Sequence, residues 1–469
     1  MSKISAMMDI GKRSLSNSGT ALQVVGHNIA NKTTEGYSRQ RVELQSAQPV
    51  TTGRYQVGMG ARATQVSRTN NPWLEKQIQR ENMNTGFSNS KSDALSRVEQ
   101  VYNEQVNKGL NQYLTDFFNG FRELSNNPES LASRTIVRES SQALVDDFKR
   151  VTNQLKDIQS DLDGQVRTNV EEINNTTKEI ASLNEKIQLV ENQGAHANDE
   201  RDRRDVLLKS LGERIDISWA EGSDGQVSVT AGRTAILVSG SSANALKVAS
   251  SDTTDKVEVY FQASENGSLH RITDQITGGK LGGVVEVRDK TIEGLLDNVD
   301  NIAYTLAKEV NKAHIAGFDR YGKSGALFFE MPEEVKGAAS VMALNKTISN
   351  DVGRIAAAGK PGAPGDNVVS NIISTLQSQK LMDGGAATLD DYYNSQVGQI
   401  GALAQKAVKS AESQKNIMDQ LYNIRESVSG VSLDEETTKM LEFQKAYDAS
   451  ARLIRTADEM LETVLNIKR

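Results

Sequence analysis

The chain has no cysteine at all, only six prolines in 469 residues, and two tryptophans within a 5% aromatic content. Without cysteine there is no disulfide framework, no thiolate nucleophile and no thiolate metal site. The same absence leaves the redox compartment open: the chain suits the cytosol, or export that needs no oxidation. Few aromatics beside 37% hydrophobic residues suit helical bundles better than one large globular core. Long apolar runs are missing too, and nothing approaches the roughly 20 residues of a membrane span, so no membrane insertion is expected. The first thirty residues carry Lys3, Lys12 and Arg13. They have no continuous apolar stretch and no clear cleavage site, so no signal peptide is read, and any export is expected to leave the N-terminus intact. A net charge of −7 argues against a nucleic-acid surface. The length is enough for two to four domains.

Reactive constellations are equally scarce. His27, His196, His270 and His314 are scattered, and none has a second ligand at metal spacing. Gly278 to Gly283 contains Gly-Lys but lacks the following Ser or Thr of a phosphate loop, and reads as a flexible hinge. Asp199 to Asp205 alternates in sign at helical spacing, the pattern of a solvated face with i,i+4 pairs. Asp319 to Gly325 is a turn with too few oxygen ligands for calcium. No Gly-x-Ser-x-Gly elbow occurs. No enzyme activity, metal or cofactor is expected.

What the chain does have is two long helices with narrow apolar seams, one at each end. Near the C-terminus Met440, Phe443, Tyr447, Ser450, Ile454, Ala457, Leu461 and Val464 step three and four residues at a time, the rhythm of an a/d seam. Near the N-terminus Ile4, Met8, Gly11, Leu15, Ser18, Leu22, Val25 and Ile29 do the same, with the small Gly11 and Ser18 as exceptions. Such helices gain most of their stability from packing the apolar face. The seams therefore need each other or neighbouring subunits, and periodicity alone leaves open which.

Between these ends the chain reads as follows. A first helix spans about Lys3 to Ala30, closed by Asn31 in a left-handed conformation. Short strands follow at Val42, Leu44 and 57–66, then helices at about 73–106 and from Gly109 to the Asn126-Asn127-Pro128 stop. From Ser130 to Glu191 there is no proline and one interior glycine, Gly164. The seam there runs Leu144, Phe148, Val151, Leu155, Ile158, Leu162, Val166, Val170, Ile173, Thr177 and Ile180, which predicts one long helix or two in series. A short charged helix covers Asp199 to Arg214. At Ile215 the pattern changes to alternating strands, with Asp224-Gly225 as a hairpin turn and Val257 to Phe261 as the clearest strand. Helix resumes from about Val284 to Ala316, Gly317 to Gly365 is irregular, and helices return at 367–381, 388–427 and 433–469. Ser432-x-x-Glu435 has the form of a capping box. The expected fold is mainly α, elongated and multi-domain. Residues 1–45 and 430–469 form a coiled-coil terminal domain. Residues 46–214 and 277–429 form a helical rod-like domain, with 317–366 irregular. Residues 215–276 form an inserted β-rich outer domain.

Two clusters of residues carry a resemblance. Asn28-Ile-Ala-Asn31, Thr34, Gly36, Tyr37 and Ser38-Arg-Gln40 resemble the N-terminal signature of bacterial flagellar rod, hook and hook-associated proteins. Phe443-Gln-Lys-Ala-Tyr447, Ala449-Ser-Ala451 and Thr456-Ala-Asp-Glu-Met460 resemble the matching C-terminal signature. The middle selects a member. Leu114-Thr-Asp-Phe-Phe118 with Asn127-Pro128 and Arg134 is similar to the hook-associated protein 1 family. So are Asn198-Asp199, Arg204-Asp205 with Leu207-Leu208, Gly279 to Gly283 with Arg288-Asp289, Gly317-Phe-Asp319 with Phe328-Phe329, and Ser429 to Glu436. The β-rich stretch is short for the family, so an outer domain of longer members is expected to be missing.

The resemblance implies an axial subunit of the flagellum, exported unprocessed through the flagellar type III apparatus and forming the hook–filament junction on the hook side. It implies a homo-oligomeric layer with hook protein below, hook-associated protein 3 above, and an export chaperone beforehand. It also implies terminal helices that line the inner tube and are largely disordered before assembly. The assembly interface is expected at Ile4, Met8, Leu15, Leu22, Val25, Asn28, Ile29, Asn31, Met440, Phe443, Tyr447, Ile454, Leu461 and Val464. Asn28 and Asn31 read either as helix-stop residues or as an intersubunit hydrogen-bonding turn. Two alternatives remain: another axial subunit, such as hook or rod, and a secreted stalked binding protein.

Overall fold

The computed structural model describes residues 2–52, 55–102, 108–251, 256–263, 267–330 and 332–467. The fold is mainly α and elongated, with a few small sheets. Helix α1 (Ser2–Ala30) leads into β1 (Gln40–Ser46), β2 (Val50–Thr52), β3 (Tyr55–Val57) and β4 (Ala61–Arg68). Strands β1 and β4 pair antiparallel, Gln40 opposite Arg68, and β2–β3 extend them as a hairpin. Asn31 does not take the left-handed conformation: Asp383 is the one non-glycine with positive φ among the described residues, and the first such turn is Gly36, φ +78°. Asn31 instead caps α1 with its side chain, Nδ2 donating to the His27 carbonyl at 3.1 Å.

Helix α2 (Pro72–Val101) starts where Pro72 pre-sets φ and the Asn71 carboxamide accepts from the Trp73 and Leu74 amides. Its expected continuation to Val106 runs into 103–107, outside the described residues. Helix α3 (Leu110–Asn126) buries Leu114, Phe117, Phe118, Phe121 and Leu124. Helix α4 (Leu131–Glu191) is a single helix of 61 residues, capped by the Ser130 hydroxyl, and about 90 Å long at 1.5 Å per residue. Its seam is buried from Leu144 to Ile180, with Ile158 half-buried. Gly194, φ +84°, lies in the turn after α4, and α5 (Asn198–Arg214) turns back along it.

The β region packs on α4. Strands β5 (Ile217–Glu221), β6 (Val227–Ala231), β7 (Ala235–Ser239) and β8 (Ser242–Ala243) form one antiparallel sheet in chain order. Strands β9 (Ala245–Ser250), β10 (Val257–Gln262) and β11 (Leu269–Arg271) form a second. Two asparagines on α4 clamp them by imitating a strand edge. Asn184 donates to the Val227 and Gly240 carbonyls and accepts from the Val227 amide. Asn174 exchanges both bonds with Leu246, each at 2.8 Å. The fully buried Arg288 adds a third tie, donating to Asp163 and to the Val257 carbonyl.

Residues 278–283 are not a flexible hinge. Gly279 opens α6 (Gly279–Glu286), which runs through a π turn at Val287–Ile292 into α7 (Glu293–Ile315). The glycines are there because backbones meet. A Cβ on Gly283 would stand 2.6 Å from the Phe87 carbonyl of α2 and collide with Ser90 Oγ, and one on Gly86 would collide with the Glu213 carbonyl of α5.

Beyond α7 come β12 (Phe329–Glu330), α8 (Ala338–Val341), β13 (Ala343–Leu344), α9 (Lys346–Asn350) and α10 (Val368–Thr375). Here Phe117, Phe121, Phe328 and Phe329 pack largely edge to face. Helix α11 (Leu389–Ser429) returns antiparallel to α2, and α12 (Leu433–Ile467) closes the chain against α1. Among the described residues no helix is long and apolar enough to cross a membrane.

Candidate assembly interface

Helices α1 and α12 pair antiparallel. Asn28 meets Glu436, Ser14 meets Ser450 with hydroxyls 2.6 Å apart, and Gly11 lies under Ile454. The line of closest approach is made of small residues. Gly11, Ser18, Ala21 and Val25 of α1 are buried, as are Ser450 and Ala457 of α12. Small side chains let the backbones approach closely, so the large ones are pushed to the flanks. Ile4, Met8, Leu15, Leu22 and Ile29 are half-buried, and so are Met440, Phe443, Ile454 and Leu461. Tyr447 and Val464 are 39% and 40% exposed, and Leu441, Met460 and Leu465 on the same helix are more exposed still. The chain thus brings the two predicted seams together, and within one subunit it leaves much of their apolar bulk uncovered. A groove of about 540 Å³ runs between α1, α12 and the β1–β4 pair, floored by Val25, Val42 and Phe443.

Where this helical pair joins the rest of the molecule, apolar packing gives way to a polar knot. Asn28 is buried and has every hydrogen-bonding group engaged inside the chain. Its Nδ2 donates to the Gln40 carbonyl and to Glu436, and its Oδ1 accepts from the Gln40 amide and the Tyr37 hydroxyl. Asn31 is likewise occupied, bonding His27 and Thr34. Within the subunit both asparagines shape the joint, Asn28 with all its groups engaged and Asn31 half-buried with one bond donated and one accepted.

Glu436, 1% exposed at its side chain, also accepts from Arg39 Nε at 2.8 Å, while Glu435 takes Arg39 Nη1 at 2.7 Å. Burial pulls the Arg39 guanidinium down, but its bonds to the two glutamates win and hold it above its ordinary value. Burial raises the Tyr37 hydroxyl well above its usual range, helped by Asp199, Asp202 and Glu436, so it stays a proton donor to Asn28. On the other side the Ser38 amide and Arg68 both donate to Asp202, and Gln40 donates to Asp199, both on α5. Burial raises the Asp202 carboxyl despite these partners. Arg425 of α11 completes the knot, donating to the Gly36 carbonyl and to Glu75. Gly36 has no room for a side chain, because a Cβ would strike Val206.

Sequence periodicity missed Tyr37, Arg39, Asp202 and Glu436. The available signal was the run Gly36 to Gln40 within the N-terminal motif and the paired Glu435-Glu436 at the mouth of the last helix. Among the described residues no group of histidines and carboxylates is placed to hold a metal ion.

A family model described as the flagellar hook-associated protein FlgK helical domain matches residues 95–329, half of the chain. The chain belongs to the FlgK family of flagellar hook-associated proteins. A second model, the C-terminal region of the flagellar basal body rod FlgEFG proteins, matches residues 426–467, the stretch that holds α12. Flagellar hook-associated protein 1 of Bacillus subtilis is 29% identical over 98% of this chain and 97% of its own length. The Escherichia coli protein of the same name is 25% identical over 99% of this chain and all of its own. The flagellar hook junction protein FlgK of Burkholderia pseudomallei shares the fold, with a TM-score of 0.69 at 14% identity, covering 75% of this chain and all of that one. As a FlgK-family member the chain is a structural, flagellar component, and its axial neighbours are other flagellar proteins.

Proposed function

We propose that the chain forms the first junction layer between hook and filament, on the hook side, as a homo-oligomeric ring or helical layer. The observation that carries this reading is the distribution of bulk on α1 and α12. Small residues are spent inside the subunit, and Tyr447, Met460, Val464 and Leu465 are left exposed along one long helix. These side chains point to different sides of α12 and give neighbouring subunits apolar surface to cover. A layer of subunits supplies the missing burial, which is also why a free subunit would gain little by ordering its ends. On this reading residues 1–45 and 430–469 form the tube-lining domain, residues 46–214 and 277–429 the surrounding helical domain, and residues 215–276 the outward face. Hook protein lies below the layer and hook-associated protein 3 above it. Before assembly a chaperone covers the exposed apolar side chains of α12, and export runs through the flagellar type III apparatus. The decisive experiment is electron microscopy of cells lacking the gene, with flagellin assayed in the medium. Complete hooks without filaments, and flagellin lost to the medium, are expected. Normal filaments would overturn the reading.

A further inference from the structure

The chain leaves α1 through 31–39, which runs past α5 into β1, and reaches α12 from α11 through 430–432. Contacts at this joint are dominated by hydrogen bonds and ion pairs. Beside it lies a cavity of about 580 Å³ with a mostly polar lining that includes Lys32, Glu35, Lys209 and Arg425. A joint that is not packed solid can rotate unless something fixes its angle. The first of these segments is bonded to the end of α11 just before the second, the Arg39 amide donating to the Ser429 carbonyl at 2.9 Å. The Arg39 side chain then grips Glu435 and Glu436, so one residue ties the outgoing strand to both the end of α11 and the start of α12. Glu436 binds Arg39 with one oxygen and Asn28 with the other. Sitting in the first turn of α12, Glu436 thus touches both α1 and the outgoing strand.

We infer that Asn28, Arg39 and Glu436 form an intramolecular latch: docking of α12 delivers Glu436 to Arg39 and fixes the direction in which the helical domain leaves the terminal pair. The inference rests on the proposed junction role and assigns these residues to setting geometry within a subunit, not to contact between subunits. In an assembly every subunit must present its helical domain at the same angle, and a buried charged pair has well-defined geometry for that purpose. Removing one partner of such a pair leaves the other buried and uncompensated.

Charge reversal tests this in the full chain, in cells deleted for the gene and counted for filaments. Arg39→Glu and Glu436→Arg are each expected to cut filamented cells by about tenfold or more, because each buries like charges side by side. The double variant is expected to recover part of the loss, as coupled neighbours do, and to stay short of wild type because Glu435 and the Asn28 N–H still face the exchanged charges. Co-expressing the two single variants in one cell is expected to give no rescue, since each chain still carries its own mismatch. Rescue by the mixture would place the pair between subunits and overturn the latch. So would a double variant no better than its parents while Arg39→Lys, which keeps the charge, assembles normally. Neither result touches the junction role, which stands or falls on the deletion strain.

Discussion

Gly11 of α1 lies directly beneath Ile454 of α12, so close that a Cβ on Gly11 would stand 2.7 Å from Ile454 Cγ1. No real Cβ tolerates that distance, so any side chain at position 11 forces the helices apart or Ile454 aside. Gly11→Ala is expected to weaken the pairing by roughly 1–3 kcal/mol, the usual cost of overpacking, and Gly11→Val to abolish it. Swimming-halo diameter and filament counts report the loss. Combining Gly11→Ala with Ile454→Ala removes the clash, and should recover much of the assembly that Gly11→Ala alone loses. If the pair behaves no better than the single variant, the contact is not what limits pairing.

Val464 tests the far end of the same helix, one heptad beyond the buried Ala457. It is 40% exposed in the subunit, and exposed substitutions usually move stability by no more than about 0.5 kcal/mol. Val464→Asp should therefore leave the thermal melt of the purified protein unchanged while sharply reducing filament assembly. Leu461→Asp, at a half-buried position, should block incorporation while the middle of the protein stays folded. Normal swimming with Val464→Asp would show that this end of α12 is not where neighbours pack.

The helical skeleton was legible because its punctuation is local. Pro72, the Asn127-Pro128 stop, Ser130 and Gly194 each act within a turn of themselves, and the α4 seam is written in residues three and four apart. The hairpin at Asp224-Gly225 was legible for the same reason, Gly225 taking φ +77°. The interface centre was legible only in part: the seam rhythm passes through Gly11, Ser18 and Ser450, but as exceptions to the apolar pattern and not as its closest contacts. Periodicity counts large apolar residues, and here the closest contact runs through Gly11, Ser18, Ala21 and Ser450, which hydropathy scores as interruptions. The polar knot escaped because its partners are far apart in sequence: Asn28 and Glu436 are separated by 408 positions. Asn174 and Asn184 escaped because they bind backbone groups, which leave no side-chain pattern to read. The glycines at 278–283 were misread because composition alone cannot distinguish a glycine that frees the chain from one that lets another backbone in.

Gly283 turns that last distinction into a measurement. A Cβ there would meet Phe87 carbonyl oxygen at 2.6 Å and Lys91 nitrogen at 3.2 Å, and backbone cannot swing aside as a side chain can. Gly283→Ala is expected to destabilise the helical domain by roughly 2–4 kcal/mol, in the range of substitutions that disrupt a close-packed core. Urea unfolding of the purified protein measures it. A flexible hinge would respond in the opposite sense, because replacing a mobile glycine by alanine reduces the entropy of the unfolded chain and stabilises. The sign of the change therefore separates the two.

His314 predicts a pH dependence. Its ring is fully buried, Nδ1 donating to the Ala326 carbonyl at 2.6 Å and Nε2 accepting from the Ala356 amide at 2.8 Å. Both nitrogens are thus committed in the neutral form, and a second proton on Nε2 would point at an N–H. Burial, the main cause, lowers the imidazole from 6.5 to about 4. The fold prefers the neutral ring, so this stabilisation is complete above pH 6.5 and is lost progressively as pH falls from 6.5 towards 4. Across that whole window the loss amounts to about 3 kcal/mol. His314→Gln removes the titration and keeps a polar group in place. The difference in urea stability between pH 7 and pH 4.5 should then shrink by about 2–3 kcal/mol relative to wild type. An unchanged difference would show that the acid sensitivity of the domain arises elsewhere, and that the ring ties the loops at Ala326 and Ala356 without governing their response to pH.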